Sequence, residues 1–152
     1  MRGVYKASFG GVSVTAIQDL FEINAPATRT IEILSWWIGQ SSDFGDAQAE
    51  VLRLQVSRAT TSGSVGTTVT ARPSEPGEAA FSGTVEANNT TQAGTTTVME
   101  EYTFNVAVGF AWIYSPEERP VIAPSGRIVL ELPVAPVDAL TMSGTVAFRI
   151  TG

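Results

Sequence analysis

The alternation of apolar and polar residues along this chain predicts many β-strands and no convincing helix. The two clearest strands of the first half are residues 29–38 and 50–58. In the second of these, every other residue is apolar (Leu52, Leu54, Val56), as expected of a strand with one buried face. An acidic loop separates the two runs, so we predict that they form a hairpin with a long tip.

The first of these strands contains two adjacent tryptophans and a change of phase. Its apolar positions shift from one face to the other near Leu34, which predicts a β-bulge there. Neighbouring strand residues point to opposite sides, so Trp36 and Trp37 cannot share one core. One should anchor the interior, and the other should face a second layer, a partner or water.

Glycine-rich and polar stretches divide the rest of the chain. Gly10-Gly11 lies between two strand-like runs and predicts a tight hairpin. Residues 60–94 are rich in Thr, Ser, Gly and Asn, which indicates a long polar loop excursion with one or two short strands. Residues 98–114 are apolar at nearly every even position, and we expect Gly109 to bend or divide that run.

Eight or nine strands separated by turns favour one all-β fold class. We predict that residues 1–152 form a single domain, a two-sheet β-sandwich of the jelly-roll type. Four aromatic residues fall at positions predicted to face the core (Trp36, Phe104, Trp112, Phe148).

The amino-acid composition excludes several catalytic mechanisms and makes some classes of partner unexpected. The chain has no Cys and no His, which excludes thiolate nucleophiles and Ser-His-Asp devices. The net charge is −6 with no basic cluster, so we expect no nucleic-acid partner. No apolar run approaches the roughly 20 residues that span a bilayer, so we expect no membrane partner, and no secretory signal is visible.

Acidic residues are the remaining candidates for chemistry. The pairs at 100–101 and 117–118 are typical of a solvated face, and we predict that the chain is not an enzyme and binds no cofactor. Asp43, Asp46 and Glu50 could hold Ca²⁺ in a loop, but their spacing does not match an EF-hand, so we predict no metal site.

Three longer runs carry a resemblance to a known group of proteins. They are residues 38–54, 72–94 and 115–133, which read IGQSSDFGDAQAEVLRL, RPSEPGEAAFSGTVEANNTTQAG and SPEERPVIAPSGRIVLELP. The chain resembles, over nearly its whole length, small proteins encoded in the structural-gene region of tailed bacteriophages. A small acidic β-sandwich without tail-fibre repeats is most similar, among these, to head decoration (cement) proteins.

The resemblance implies a structural virion protein on the outer surface of the capsid, made in the cytoplasm of the host bacterium. Its partners would be the major capsid protein and further copies of itself, as a homotrimer. Two alternatives remain open at this point. One is a tail or baseplate accessory protein, and the other is a carbohydrate-binding jelly roll in which Trp37 or Phe44 stacks on a sugar.

Six residues are candidates for contacts with partners. Trp37 and Ile113 lie on faces opposite the core-directed positions and are candidates for the trimer interface. Capsid contacts are expected from loops and from residues 60–94, with four candidates there and in the acidic loop (Phe44, Phe81, Asn88, Asn89). The simpler alternatives are that each Phe pins its own loop to the domain and that each Asn serves a local turn.

Overall fold

A computed structural model describes residues 3–42 and 50–152, and these residues form an all-β fold with no helix. The described residues contain twelve strands. They are β1 (Val4–Val14), β2 (Gln18–Asn24), β3 (Thr30–Gln40), β4 (Val51–Thr61), β5 (Thr67–Thr68), β6 (Arg72–Pro73), β7 (Thr84–Asn89), β8 (Gly94–Asn105), β9 (Phe110–Ile113), β10 (Val121–Ile122), β11 (Arg127–Leu132) and β12 (Leu140–Thr151).

The strands make two antiparallel sheets that pack face to face as a sandwich. Sheet A has the order β10-β3-β12-β1-β6, and β9 pairs with β3 beside β10. Sheet B has the order β5-β7-β2-β11-β4-β8. The predicted fold class, a single two-sheet β-sandwich, is therefore confirmed at the level of its two packed sheets.

The longest pairings follow a simple rule along the chain. The first strand pairs with the last: β1 with β12, then β2 with β11, β3 with β9, and β4 with β8. Successive strands of each half alternate between sheets A and B, so the chain behaves as one long hairpin rolled around the core. Residues 60–94 occupy the tip of that hairpin, between β4 and β8.

One hydrophobic core fills the space between the sheets. Trp36, Phe148 and Phe21 are its largest fully buried side chains, and Phe9 joins Phe21 at a ring-centroid distance of 5.1 Å. Burial of each large aromatic side chain contributes about 3 kcal/mol. Trp36 comes from sheet A and Phe21 from sheet B, so the aromatic contacts hold the two sheets together.

Three details predicted from the sequence are confirmed. Leu34 is the extra residue of a β-bulge, because Ile33 pairs with Phe148 and Ser35 with Ala147. Trp36 is fully buried, whereas Trp37 is 37% exposed on the outer face of sheet A. Gly109 adopts a left-handed φ of +79° and divides the long second-half run into β8 and β9.

The predicted hairpin between residues 29–38 and 50–58 is wrong. These segments correspond to β3 and β4, which lie in different sheets and do not pair with each other. Each strand has apolar residues on one face. These two faces pack against each other across the core, so the strands do not lie side by side in one sheet. Their hydrogen-bonding partners, β12 and β8, come from the second half of the chain.

The predicted turn at Gly10-Gly11 is also wrong. Both glycines lie within β1, where they form a bulge between Phe9 and Val12 against β12. Gly11 has φ +65°, a conformation that glycine adopts readily. The chain changes sheets later, at residues 15–17, between β1 and β2.

Residues 60–94 contain more strand structure than the one or two short strands predicted. They contain β5, β6 and β7, and β7 adds six residues to sheet B beside β2.

The prediction that Trp112 is a core residue is wrong, because its side chain is 40% exposed. It points inward, but β9 is an edge strand, so the core covers it only in part.

Candidate binding surfaces

The open side of the sandwich is formed by the two edge strands β8 and β9. The ring of Tyr102 on β8 lies 5.2 Å from those of Phe110 and Trp112 on β9, so the two sheets approach each other here. Large apolar side chains on these strands and on neighbouring β10 remain exposed (Val98, Met99, Trp112, Ile113, Val121). We call this surface the open side.

A carboxylate ties the two edge strands together behind that surface. Glu100 accepts hydrogen bonds from the hydroxyls of Tyr102, at 2.7 Å, and Tyr114, at 2.6 Å. Burial, followed by the hydrogen bond to Glu100, raises the pKa of both tyrosines above the ordinary value. Both hydroxyls therefore stay protonated and act as donors across the physiological pH range.

A groove lies on the outer face of sheet A beside Trp37. It has a volume of about 760 Å³, within the range of roughly 300–1,000 Å³ usual for small-ligand sites. The cross-strand neighbours of Trp37 are Ala111 and Thr145, whose small side chains leave the indole open. Gly39 is the next residue along β3 that points outward, and a Cβ placed there would meet nothing within 4 Å.

Hydroxyl groups of Ser143 and Thr145 on β12 line this groove. The hydroxyls of Ser8 and Thr145 lie 2.8 Å apart, and Ser143 accepts a hydrogen bond from the backbone N–H of Gly11 at 3.1 Å. The described residues that line the groove include no ionisable side chain. The groove therefore offers an aromatic face and fixed hydroxyls without charge, and we call it the Trp37 groove.

A buried polar layer lies on the outer face of sheet B, under residues 63–66 and 91–93. Asp19 accepts a hydrogen bond from the backbone N–H of Ala93 at 2.7 Å. Glu22 accepts one from the N–H of Gly63 at 2.8 Å and pairs with Arg127 at 2.7 Å. These carboxylates fasten the covering segments to the sheet.

Burial changes the proton affinity of this layer. The pKa of Asp19 rises from 3.8 to about 7: burial is the largest cause, the nearby carboxylates of Glu131 and Glu22 add to the rise, and the hydrogen bond from Ala93 opposes it. Burial also raises the pKa of Glu131, although its hydrogen bond from Ser57 acts in the opposite direction. Asp19 therefore holds a proton at mildly acidic pH.

The sequence pattern missed this layer because polar strand positions were expected to face water. A weak signal was present in the glycines of the covering segment. A Cβ on Gly63 would lie 2.6 Å from the carbonyl oxygen of Thr91 and 3.0 Å from Asp19 Oδ2. A Cβ on Gly66 would collide with the side chain of Asn89. Glycine is needed here because the covering segment lies directly on the sheet.

The structure places two of the predicted interface residues on one surface. Trp37 lies opposite Ala111 on β9, and Ile113 is two residues further along, so both point outward from sheet A. Ile113 is 71% exposed. Trp37 lines the groove, and Ile113 is one of the exposed residues of the open side.

The other candidates have partners within the chain or lie elsewhere. Phe81 is half-buried, with its ring 4.9 Å from Phe148 and 5.6 Å from Tyr5, so it pins its own loop to the core. Asn88 has φ +58° and accepts a hydrogen bond from Gln18. Asn89 is 1% exposed and donates to Glu22 and Glu86. None of these three belongs to an exposed candidate surface.

Phe44, Asp43 and Asp46 lie outside the described residues. Within residues 3–42 and 50–152, no three acidic side chains converge in a way that could hold a metal ion. The same residues form no helix long and apolar enough to cross a membrane.

Comparison with known proteins finds no matching family model, no matching curated protein and no matching solved structure.

Proposed function

We propose that this chain is a structural virion protein that decorates the outer surface of a bacteriophage capsid. It binds the lattice of the major capsid protein and further copies of itself, without catalysis, after synthesis in the host cytoplasm. The exposed apolar residues of the open side are the observation that carries this proposal. Such a patch is typical of an interface between proteins.

The strand order supports a jelly-roll assignment within this proposal. Eight strands pair first to last, and in sheet A they follow the order β1-β12-β3-β9. In sheet B the corresponding order is β2-β11-β4-β8. Two four-stranded sheets from one rolled hairpin are the arrangement expected of a jelly roll, a fold used by viral capsid and lectin domains. Fold alone does not define function, so the argument rests on the surface.

The edge strands make the open side suitable for protein contacts. Trp112 is 40% exposed and Ile113 is 71% exposed on an edge strand whose second side has no partner strand among the described residues. Aromatic residues at the centre of a patch commonly contribute much of the binding energy. A weak contact of this kind, repeated over a shell, can hold a lattice through avidity.

The test is reconstitution on heads of the phage that encodes the chain. Heads depleted of the protein should lose resistance to heat, and adding the wild-type protein should restore it. A Trp112→Ser/Ile113→Ser variant should rebind with much lower occupancy. Val137→Ser is the matched control, because Val137 is 87% exposed but lies outside the open side.

Two outcomes would contradict the proposal. Depleted heads as heat-resistant as intact heads would remove the decoration role. Immunogold labelling of tails rather than heads would favour the rival, a tail or baseplate accessory protein. Rebinding of the double variant at full occupancy would retain the role but move the contact away from the open side.

A further inference from the structure

We propose that the Trp37 groove binds a neutral oligosaccharide. This would be a second binding function, on the outer face of sheet A, and it does not depend on the decoration role. The proposal rests on three features of the groove: an exposed indole, hydroxyls beside it, and the lack of charge among the lining residues that the structure describes.

The indole of Trp37 is the platform for stacking. Trp37 lies in β3, between β12 and β9, and its side chain is 37% exposed on the outer face of sheet A. Its cross-strand neighbours Ala111 and Thr145 are too short to cover it. Tryptophan offers a large apolar face beside a polar N–H group, which suits the mixed surface of a sugar ring.

The hydroxyls beside the indole are held in position. Thr145 lines the groove, and its hydroxyl is oriented by a 2.8 Å hydrogen bond with the hydroxyl of Ser8. Ser143 accepts from the N–H of Gly11 through its oxygen, so its own O–H can donate outward. Fixed hydroxyls can donate and accept, as sugar hydroxyls do, and prior ordering lowers the entropic cost of binding.

The charge pattern selects the chemical class of ligand. The described lining residues carry no carboxylate and no cation, although 16% of the chain is charged. An acidic polysaccharide or a phosphorylated ligand would find no counter-charge there. Small residues, Gly39 and Ala111, lie beside Trp37, and the lining also includes apolar residues such as Val108 and Phe110, which suit the apolar face of a sugar ring. A neutral glycan fits both observations.

The chain offers matched variants for the test. Trp37→Ala removes the platform, whereas Trp112→Ala removes the other exposed tryptophan, which lies outside the groove. Gly39→Leu places a branched apolar side chain in the groove, and its Cβ meets nothing within 4 Å. This second variant keeps all existing side chains, so it tests the groove even if Trp37→Ala folds poorly.

The experiment is isothermal titration calorimetry with defined probes. These are maltohexaose, cellohexaose and N-acetylchitohexaose, with a galacturonic acid hexamer as the charged comparison. At least one neutral probe should bind the wild-type protein. We expect Trp37→Ala and Gly39→Leu to weaken that binding by about tenfold or more. Trp112→Ala should change it less than about twofold.

Several results would overturn the inference. Lack of binding by all three neutral probes at millimolar concentration would do so, as would equal or tighter binding of the charged hexamer. An equal loss in Trp112→Ala would place the site elsewhere. If Trp37→Ala instead abolished self-association in sedimentation measurements, the groove would be occupied by a second copy of the chain and not by a glycan.

Discussion

The indole Nε1 of Trp36 donates a hydrogen bond to the hydroxyl of Tyr114, 3.1 Å away in the buried interior. Tyr114 donates in turn to Glu100 at 2.6 Å. The chain of hydrogen bonds therefore leads from the centre of sheet A to the edge strand of sheet B. Each buried polar group along it has a partner, which is the condition for such groups to be tolerated in a core.

Removal of the Tyr114 hydroxyl should destabilise the protein. In Tyr114→Phe, Trp36 Nε1 keeps its buried position but loses its acceptor, and an unsatisfied buried donor costs about 1–3 kcal/mol. Tyr102→Phe is the control: Tyr102 also donates to Glu100, but it is only half-buried and is not the acceptor of the Trp36 N–H. Urea unfolding should show the larger loss for Tyr114→Phe. Equal losses would contradict a special role for the Trp36 contact.

The two adjacent tryptophans should differ widely in their contribution to stability. Trp36→Ala leaves a cavity in the core and should lower the free energy of unfolding by about 3–5 kcal/mol. Trp37→Ala removes a side chain from the outer face and should cost less than about 1 kcal/mol. Thermal unfolding followed by circular dichroism measures both. Comparable losses would mean that the outer face is covered in the isolated protein.

Local alternation placed most of the long strands, because it reports which residues share a face. It found the bulge at Leu34 and the opposite orientations of Trp36 and Trp37 from neighbouring residues alone. It could not identify pairing partners, because those are chosen between distant parts of the chain. β3 and β4 were therefore paired with each other, although β12 and β8 are their true partners.

The binding surfaces were predicted only in part for a related reason. Alternation gives the direction of a side chain but not whether another segment covers that face. Trp112 points inward yet stays exposed at an edge, and Asp19 points outward yet is buried under residues 91–93. For Trp37 and Ile113 the predicted outward direction is confirmed, and both side chains are exposed.

The stability of the protein should fall as pH rises from about 4 to about 7. The pKa of Asp19 is about 7 in the folded chain, against an ordinary value of 3.8. Between those values the folded state holds a proton that the unfolded state releases, so each rise in pH favours unfolding. The upper limit is about 1.4 kcal/mol per pH unit. We expect a Tm several degrees higher at pH 5.5 than at pH 8.

Asp19→Asn separates this effect from other titrations. The amide oxygen can still accept from Ala93, and the amide nitrogen replaces Oδ1, which has no hydrogen-bond partner in the protein. The variant should lose most of the decline in Tm between pH 5.5 and pH 8 and should be at least as stable as wild type at pH 8. An unchanged slope would show that another group titrates.

Two glycines of sheet A should respond oppositely to the same substitution. A Cβ on Gly144 would lie 2.7 Å from Ile38 Cδ1 and 2.7 Å from the ring of Phe9, so Gly144→Ala should cost about 1–3 kcal/mol through overpacking. Gly39→Ala meets open space and should be neutral or stabilise slightly, because glycine weakens a strand. Urea midpoints of the two variants check both signs, and a tolerated Gly144→Ala would show that the Phe9 ring can move.

Self-association should depend on the open side. Wild-type protein is expected to sediment as a trimer at micromolar concentration, since Trp112 and Ile113 expose apolar surface on an edge strand. Ile113→Lys places a charge on that edge, which opposes both strand addition and apolar contact. We expect this variant to sediment as a folded monomer, whereas Val137→Lys, at an exposed position outside the open side, should remain a trimer. A wild-type monomer in solution would restrict trimer formation to the capsid surface. A trimer of Ile113→Lys would place the interface on another face of the sandwich.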